Sequence, residues 1–283
     1  MRFSDRATGN KAKFSPHAKI IHIDTDTAEL SKNINAHLGI VGDIKDALER
    51  ITAAIEPREH KQWIEQCAAL RQEALVSYKN YGNISPYDII HEVNARYPQD
   101  TVVATDVGQH QMWVAQTYHF TKPHTFLTSG GLGTMGYGMG AAIGGAVGTG
   151  KKAVLFTGDG SFGMNLNELA TAVSQNLPLT IIIMNNGVLG MVRQWQTLFY
   201  HKHYSNTTLN RATDFVKLAE AFGAKGYRAE TIDQFRQIMD TVEKDNGVNL
   251  IDCLIDEDEM VLPMVPPGGT VEQIIVSRKE LEQ

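Results

Sequence analysis

The chain has 283 residues, enough for one large domain or two modest ones, each able to bury its own core. With 42% hydrophobic and 20% charged residues it has the balance of a globular protein, and it lacks the run of about eighteen apolar residues that a membrane span requires. A formal net charge of -6 argues against a nucleic-acid partner, because phosphate backbones recruit a net basic face.

The first twenty residues hold Arg2, Arg6, Lys11, Lys13 and Lys19 around Asp5, without the apolar face of a transit peptide. They fit a chain that begins inside a folded domain. Lys19–Asp24 reads as a short buried strand with Asp24 and Asp26 at its C-terminal edge. Asp43 then caps a helix with apolar positions Ile44, Leu48 and Ile51, and Pro57 ends the unit. A polar helical connector spans roughly 58–80, with Trp63, Cys67, Leu70 and Ala74 on one side. Cys67 and Cys253, far apart among apolar neighbours, read as core thiols of a reducing, cytoplasmic setting. Ser85-Pro86-Tyr87-Asp88 is a strong helix start: a capping hydroxyl, proline in the first turn, then an acid.

Strands and helices alternate from there. The expected strands are 101–105, 125–128, 153–157, 179–184 and 249–255. Between them lie a small-residue helix near 134–147 and a helix at 166–176 with Leu166, Leu169, Ala170 and Val173 on one stripe. A further helix carries Phe215, Leu218, Ala219 and Phe222 and stops at Gly223; another opens with Thr231 and Gln234 in capping-box spacing. The pattern predicts an α/β fold, a parallel sheet covered by helices on both faces.

Such sheets bind ligands at the carboxyl ends of their strands. After 153–157 comes Gly158-Asp159-Gly160-Ser161, and after 179–184 comes Asn185-Asn186-Gly187. With one helix joining the two strands, both loops open on the same edge, so Asp159 and Asn186 can converge. A carboxylate with an amide oxygen is a hard, oxygen-only donor set that suits Mg²⁺. The N–H groups of Gly160 and Ser161 can donate to a phosphate there. Either dipeptide alone would be an ordinary turn; together at consecutive strand ends they point to a metal–diphosphate anchor. Gly131-Leu132-Gly133-Thr134-Met135-Gly136 is also a literal dinucleotide-binding glycine pattern. That reading leaves Gly160-Ser161 and Asn185-Asn186 without a purpose. His201 and His203 lack a third ligand and receive no role.

GDGSF followed by NN resembles the diphosphate-binding signature of thiamine diphosphate enzymes. Within them, Asp106–Trp113, Ser129–Gly138, Gly158–Leu169, Asn185–Tyr200 and Leu262–Gly269 resemble the large catalytic subunit of the acetolactate (acetohydroxyacid) synthases. The resemblance implies that Asp159, Asn186 and the Val188 carbonyl hold Mg²⁺. It also implies that Gln109 and His110 contact the diphosphate, that the Gly133 carbonyl meets the aminopyrimidine, and that Met135 wedges beneath the cofactor. Trp195 matches the family's pocket tryptophan for the larger second keto acid, and Arg6 its arginine near that substrate's carboxylate. Asp24 falls near where FAD's adenosine end would lie. Met139-Gly140 departs from the family's usual Leu-Pro, and Pro267 stands where plant members carry a serine near the inhibitor site.

By this resemblance residues 1–56 are the closing part of a Rossmann-like, FAD-associated middle domain, 57–80 the connector and 81–283 the diphosphate domain. The implied activity condenses two pyruvates, or pyruvate and 2-oxobutanoate, in branched-chain amino-acid synthesis. The implied partners are a second copy or a complementary N-terminal chain, and a regulatory small subunit. The family's activating glutamate belongs to a pyrimidine domain and matches no residue here, so no catalytic residue is assigned and the isolated chain is expected to be inactive. Two other readings stay open: a non-catalytic fragment or binding module, and a related thiamine diphosphate lyase or decarboxylase.

Overall fold

The computed structural model describes residues 3–76 and 84–277. It divides into two compact units, Met1–Tyr78 with Leu262–Gln283, and Lys79–Val261.

The first unit opens with a short helix α1 (Asp5–Thr8) and a parallel pair, β1 (Ile21–Asp24) beside β2 (Leu38–Val41), in register Ile21↔Leu38. Helix α2 (Ile44–Ala54) starts as expected: Asp43 Oδ1 accepts from the N–H groups of Lys45 and Asp46 at 2.8 and 3.3 Å. Its apolar stripe is exposed, however, as are Ile21, Leu38 and Val41 on the strands. Helix α3 (Lys61–Val76) falls in the expected connector, of which residues 77–80 lie outside the described ones. The side with Trp63 and Leu70 is exposed, and so is Ile64 beside it. Cys67 is exposed too, a correction to its reading as a core thiol, while Cys253 is buried.

The second unit runs α4 (Pro86–Arg96), β3 (Val102–Thr105), α5 (Gln109–Thr117), β4 (Phe126–Leu127), α6 (Tyr137–Thr149), β5 (Ala153–Gly158), the one-turn α7 (Asp159–Phe162) and α8 (Leu169–Ser174). It continues with β6 (Leu179–Asn185), α9 (Gly190–Phe199), α10 (Phe215–Ala221), β7 (Lys225–Ala229), α11 (Ile232–Val242) and β8 (Val248–Leu254). The six strands form one parallel sheet in the order β4-β3-β5-β6-β8-β7. The central strands are apolar runs because helices cover both faces: Leu155, Ile181, Ile182, Ile183, Leu250 and Ile251 have no exposed surface. The α6 glycines bring that helix hard against the sheet. A Cβ on Gly138 would lie 2.8 Å from the Asp106 amide nitrogen, and one on Gly145 2.6 Å from Val102 Cγ1.

The helix starts follow the sequence with one exception. Ser85 accepts from Tyr87 N–H at 3.2 Å, with Pro86 in the first turn. At α11 only half a capping box forms: Thr231 Oγ1 accepts from Gln234 N–H at 3.3 Å, but Gln234 Oε1 accepts from Glu230 N–H at 2.8 Å. The reciprocal pair occurs at Thr270 and Gln273 instead. Strand β7 carries no apolar run to announce it, and the apolar run of strand β2 is only four residues long with Gly39 inside it.

Candidate active site

The strand order contains a switch point. From β3 the chain moves outward to β4, then crosses back so that β5 lies on β3's other side and β6 beyond it. Loops after β3 and β5 therefore diverge and leave a crevice at their carboxyl ends. Gln109 and His110 follow β3, Asp159 follows β5, and Asn186 follows β6. The parallel pairing of β5 with β6 ends at Gly158↔Met184, which sets Asp159 beside the Asn185-Asn186 turn.

Asp159 is only 6% exposed, and burial pushes its carboxyl up to about 6 despite backbone N–H groups that oppose the shift. A carboxylate held this way gains from a cation that restores its charged form. Among the described residues no three His, Cys, Asp or Glu side chains cluster to hold a metal, and in the proposed donor set Asp159 is the one carboxylate. The rest is amide and carbonyl oxygen, which fits a hard ion that keeps positions for phosphate and water.

Asn186 is oriented by its neighbours. Its Nδ2 donates to Gln109 Oε1 at 3.2 Å, which turns Oδ1 the other way. That Oδ1 accepts only a long bond from Val188 N–H at 3.3 Å. Gln109 is fixed in turn: its Nε2 donates to Gln194 Oε1 at 2.9 Å and to the Glu259 carbonyl at 2.7 Å. Gln194 is clamped by the Val261 backbone, donating to its carbonyl at 3.0 Å and accepting from its N–H at 2.9 Å. Gly190 lies under this junction. A Cβ there would overlap Gln109 Oε1 and stand 2.6 Å from Asn186 Nδ2.

Val188 is buried, and its segment pairs antiparallel with the returning chain. Leu189 N–H donates to the Thr207 carbonyl at 2.7 Å and Leu209 N–H to the Gly187 carbonyl at 2.8 Å. Leu189 and Leu209 close over Gly160, where a Cβ would lie 2.9 Å from Leu189 Cδ2 and 3.2 Å from Leu209 Cδ1. Met135 reaches the same place, its Cε being 3.9 Å from that Cβ position. Beside it, Arg211 Nη1 packs against Gly163 and lends positive charge near Asp159.

Two polar atoms at this crevice are buried without a hydrogen-bond partner among the described residues: His110 Nε2 and Ser161 Oγ. Burial holds His110 down to about 4, so the ring is neutral at physiological pH; its one N–H, at Nδ1, goes to the Asp106 carbonyl and leaves Nε2 as an acceptor. The ring packs against two glycines, with Gly108 and Gly158 leaving no room for a Cβ beyond 2.8 and 3.1 Å from it. Orphaned buried polar atoms are uncommon in folded proteins, and the Ser161 hydroxyl beside the N–H groups of Gly160 and Ser161 suits an anionic ligand.

The 129–138 loop is held by a residue that the motif reading passed over. Asp106 Oδ1 accepts from Gly136 N–H at 2.7 Å and Val107 N–H at 3.1 Å, while Oδ2 accepts from Thr157 Oγ1 at 3.3 Å. Asn165 Nδ2 donates to the Gly136 carbonyl at 3.2 Å. Both sides of Gly136, which has φ +89°, are thus fixed directly after Met135. Gly133, at φ +66°, turns the loop earlier.

Trp195 lies on α9, 38% exposed, with Phe199 edge-on at 5.4 Å; it is no core indole. Asp24 ends β1 in the first unit, where Asp26 N–H holds its carboxyl below the usual range. Arg6 belongs to α1, but its side chain lies outside the described residues. The structure therefore brings together Gln109, His110, Met135, Asp159, Gly160, Ser161, Asn186 and Val188 at one sheet edge. Asp106 and Gly190 were legible only as a strand-end acid and a helix-start glycine.

Residues 106–253 match the family model described as the thiamine pyrophosphate enzyme C-terminal TPP-binding domain, and residues 1–51 match that of the central domain. The chain is 43% identical to the isozyme 2 large subunit of acetolactate synthase from Escherichia coli, over 97% of this chain and 50% of that one. It is 41% identical to the probable acetolactate synthase large subunit of Methanocaldococcus jannaschii and 40% identical to chloroplastic acetolactate synthase 2 of Nicotiana tabacum. Each match covers 97% of this chain, against 48% and 44% of the relatives. The chain thus spans about half the length of the curated relatives it matches. The matched 106–253 segment includes the sheet edge that carries Asp159 and Asn186, and the chain belongs to the thiamine pyrophosphate enzyme family.

Proposed function

We propose that the chain serves an acetolactate synthase large subunit as its diphosphate-binding part. The reaction joins two pyruvates, with one proton taken up and one CO2 released, to give acetolactate; 2-oxobutanoate can replace the second pyruvate. The observation that carries this reading is the convergence of Asp159 with a Gln109-oriented Asn186 at consecutive strand ends, in a chain 43% identical to an acetolactate synthase subunit.

Asp159, Asn186 Oδ1 and the Val188 carbonyl would hold Mg²⁺, and the ion would bridge to the diphosphate. Ser161 Oγ and the N–H groups of Gly160 and Ser161 would donate to the remaining phosphate oxygens, and His110 would contact the diphosphate through Nε2 by moving its proton there from the Nδ1 bond to the Asp106 carbonyl. Gln109 reaches the diphosphate by exchanging one of its two donor bonds, and meanwhile orients Asn186. Bound thiamine diphosphate supplies the electron sink for decarboxylation. Met135, fixed through Gly136, Asp106 and Asn165, would support the cofactor's middle, and the Gly133 carbonyl would be an acceptor for its aminopyrimidine. Leu189 and Leu209 exclude water from the Asp159 turn. Trp195 would shape the second keto-acid pocket, and Arg6 is carried over from the family resemblance alone as a substrate residue. Asp24 would be a residue for FAD if the middle-domain part holds that cofactor. A second copy or complementary pyrimidine-binding chain completes the site, and a small subunit regulates it. Residues 1–56, 57–80 and 81–283 are proposed as the middle-domain part, connector and diphosphate domain.

The test is co-expression with a pyrimidine-binding domain, followed by assay from pyruvate with thiamine diphosphate, Mg²⁺ and FAD. Acetolactate is the expected product. Acetaldehyde without acetolactate would assign a decarboxylase instead.

A further inference from the structure

We propose that Asp252, acting through Asn185, is a positioning residue for the turn that carries the metal ligands. The inference rests on the metal assignment above and concerns residues outside it.

Asp252 sits on β8, one strand beyond β6, and is 1% exposed. Its oxygens are divided between two tasks. Oδ1 accepts from Asn185 Nδ2 at 2.9 Å, and Oδ2 accepts from Arg228 Nε at 3.2 Å. Asn185 passes the constraint on, because its Oδ1 accepts from Gly187 N–H at 3.3 Å. Gly187, at φ +68°, is the pivot of the 186–188 turn, so fixing its peptide sets where Asn186 Oδ1 and the Val188 carbonyl point. Arg228 is held by Asp214 at 3.1 Å, and Asp214 caps α10 by accepting from Val216 and Lys217 N–H. The chain of contacts therefore runs from a helix cap at the sheet's far edge to the proposed metal turn.

A sheet interior gains little from such an arrangement on stability grounds. Burial works against the Asp252 charge, and apolar residues of similar volume often serve a core as well as a buried ion pair. A carboxylate that aligns an amide beside metal ligands has a use that an apolar residue lacks: partners of the ligands orient them, and their loss typically weakens metal binding about 10–100-fold.

The test measures thiamine diphosphate affinity of the 283-residue chain by calorimetry across a Mg²⁺ series, alongside thermal melting. Asn185→Ala and Asp252→Ala are expected to raise the half-saturating Mg²⁺ concentration about 10-fold or more. Arg228→Gln with Asp252→Asn, whose amides can pair while still accepting from Asn185, should recover most of it. Tyr97→Phe removes a buried bond to Thr180 at the opposite end of β6, and should lower the melting temperature without moving the Mg²⁺ requirement. An unchanged requirement in Asn185→Ala, with binding abolished in Asp159→Ala, overturns this inference alone. Binding that survives Asp159→Ala, or a parent chain that binds nothing, overturns the metal assignment and this inference with it.

Discussion

The side chains of Gln109 and Asn186 meet at 3.2 Å across the end of β5, although one follows β3 and the other β6. This bond spans the strand that delivers Asp159, so the three loops meet at a single junction. Gly190 is the only residue type that fits beneath it. Gly190→Ala is expected to force Gln109 and Asn186 apart and cost about 1–3 kcal/mol of stability, as overpacking does. Calorimetric affinity for thiamine diphosphate with Mg²⁺ should fall with the melting temperature; an unchanged affinity would detach the junction from the ligand site.

Ser161→Ala separates stability from binding. The hydroxyl is buried with no partner among the described residues, so its removal should leave the melting temperature unchanged or slightly raised. Affinity for thiamine diphosphate should nonetheless fall about tenfold, the worth of one hydrogen bond to a charged group. A parallel loss of both would mark Ser161 as structural.

Asp106→Ala strips two partly buried N–H groups of their acceptor, those of Gly136 and Val107. Each orphaned donor costs about 1–3 kcal/mol. Asp106→Asn, which keeps an acceptor oxygen, should recover much of that stability. Protease resistance of the 129–138 loop is the direct readout, and equal resistance in parent and Asp106→Ala would refute the clamp.

Much of this was legible in residue types. Apolar runs announced β3, β5, β6 and β8, and strand-end dipeptides located Asp159 and Asn186. Strand β7 was not legible, because Lys225–Ala229 sits at the sheet edge with most of its side chains only partly covered. Strand β2 is short, exposed and broken by Gly39. The Asp106–Gly136 clamp joins residues thirty positions apart through a backbone N–H, which no side-chain pattern displays. Cys67 misled because apolar neighbours along a helix do not establish that anything covers them.

The two shifted groups at the crevice make opposite contributions to acid stability when metal is absent. His110 titrates near 4 in the fold against 6.5 normally, so the unfolded chain binds the extra proton between those values and stability falls on acidification. Asp159 titrates near 6 against 3.8, so the folded chain binds the extra proton and stability rises on acidification through that window. Urea melts in chelator from pH 7 to 4 should separate them. Relative to the parent, His110→Gln should lose stability less steeply with acid, and Asp159→Asn more steeply. Identical slopes in all three would show that neither group is shifted.

The exposed stripe of α2, with Ile44, Leu48, Ile51 and Ile55, has a practical consequence together with Trp63 and Ile64. Dyes that fluoresce on apolar surface will light up on the native first unit. A dye-based melting curve of this chain would start from a bright baseline and understate its own transition. Tryptophan emission from buried Trp113 in the second unit reports its unfolding without that background.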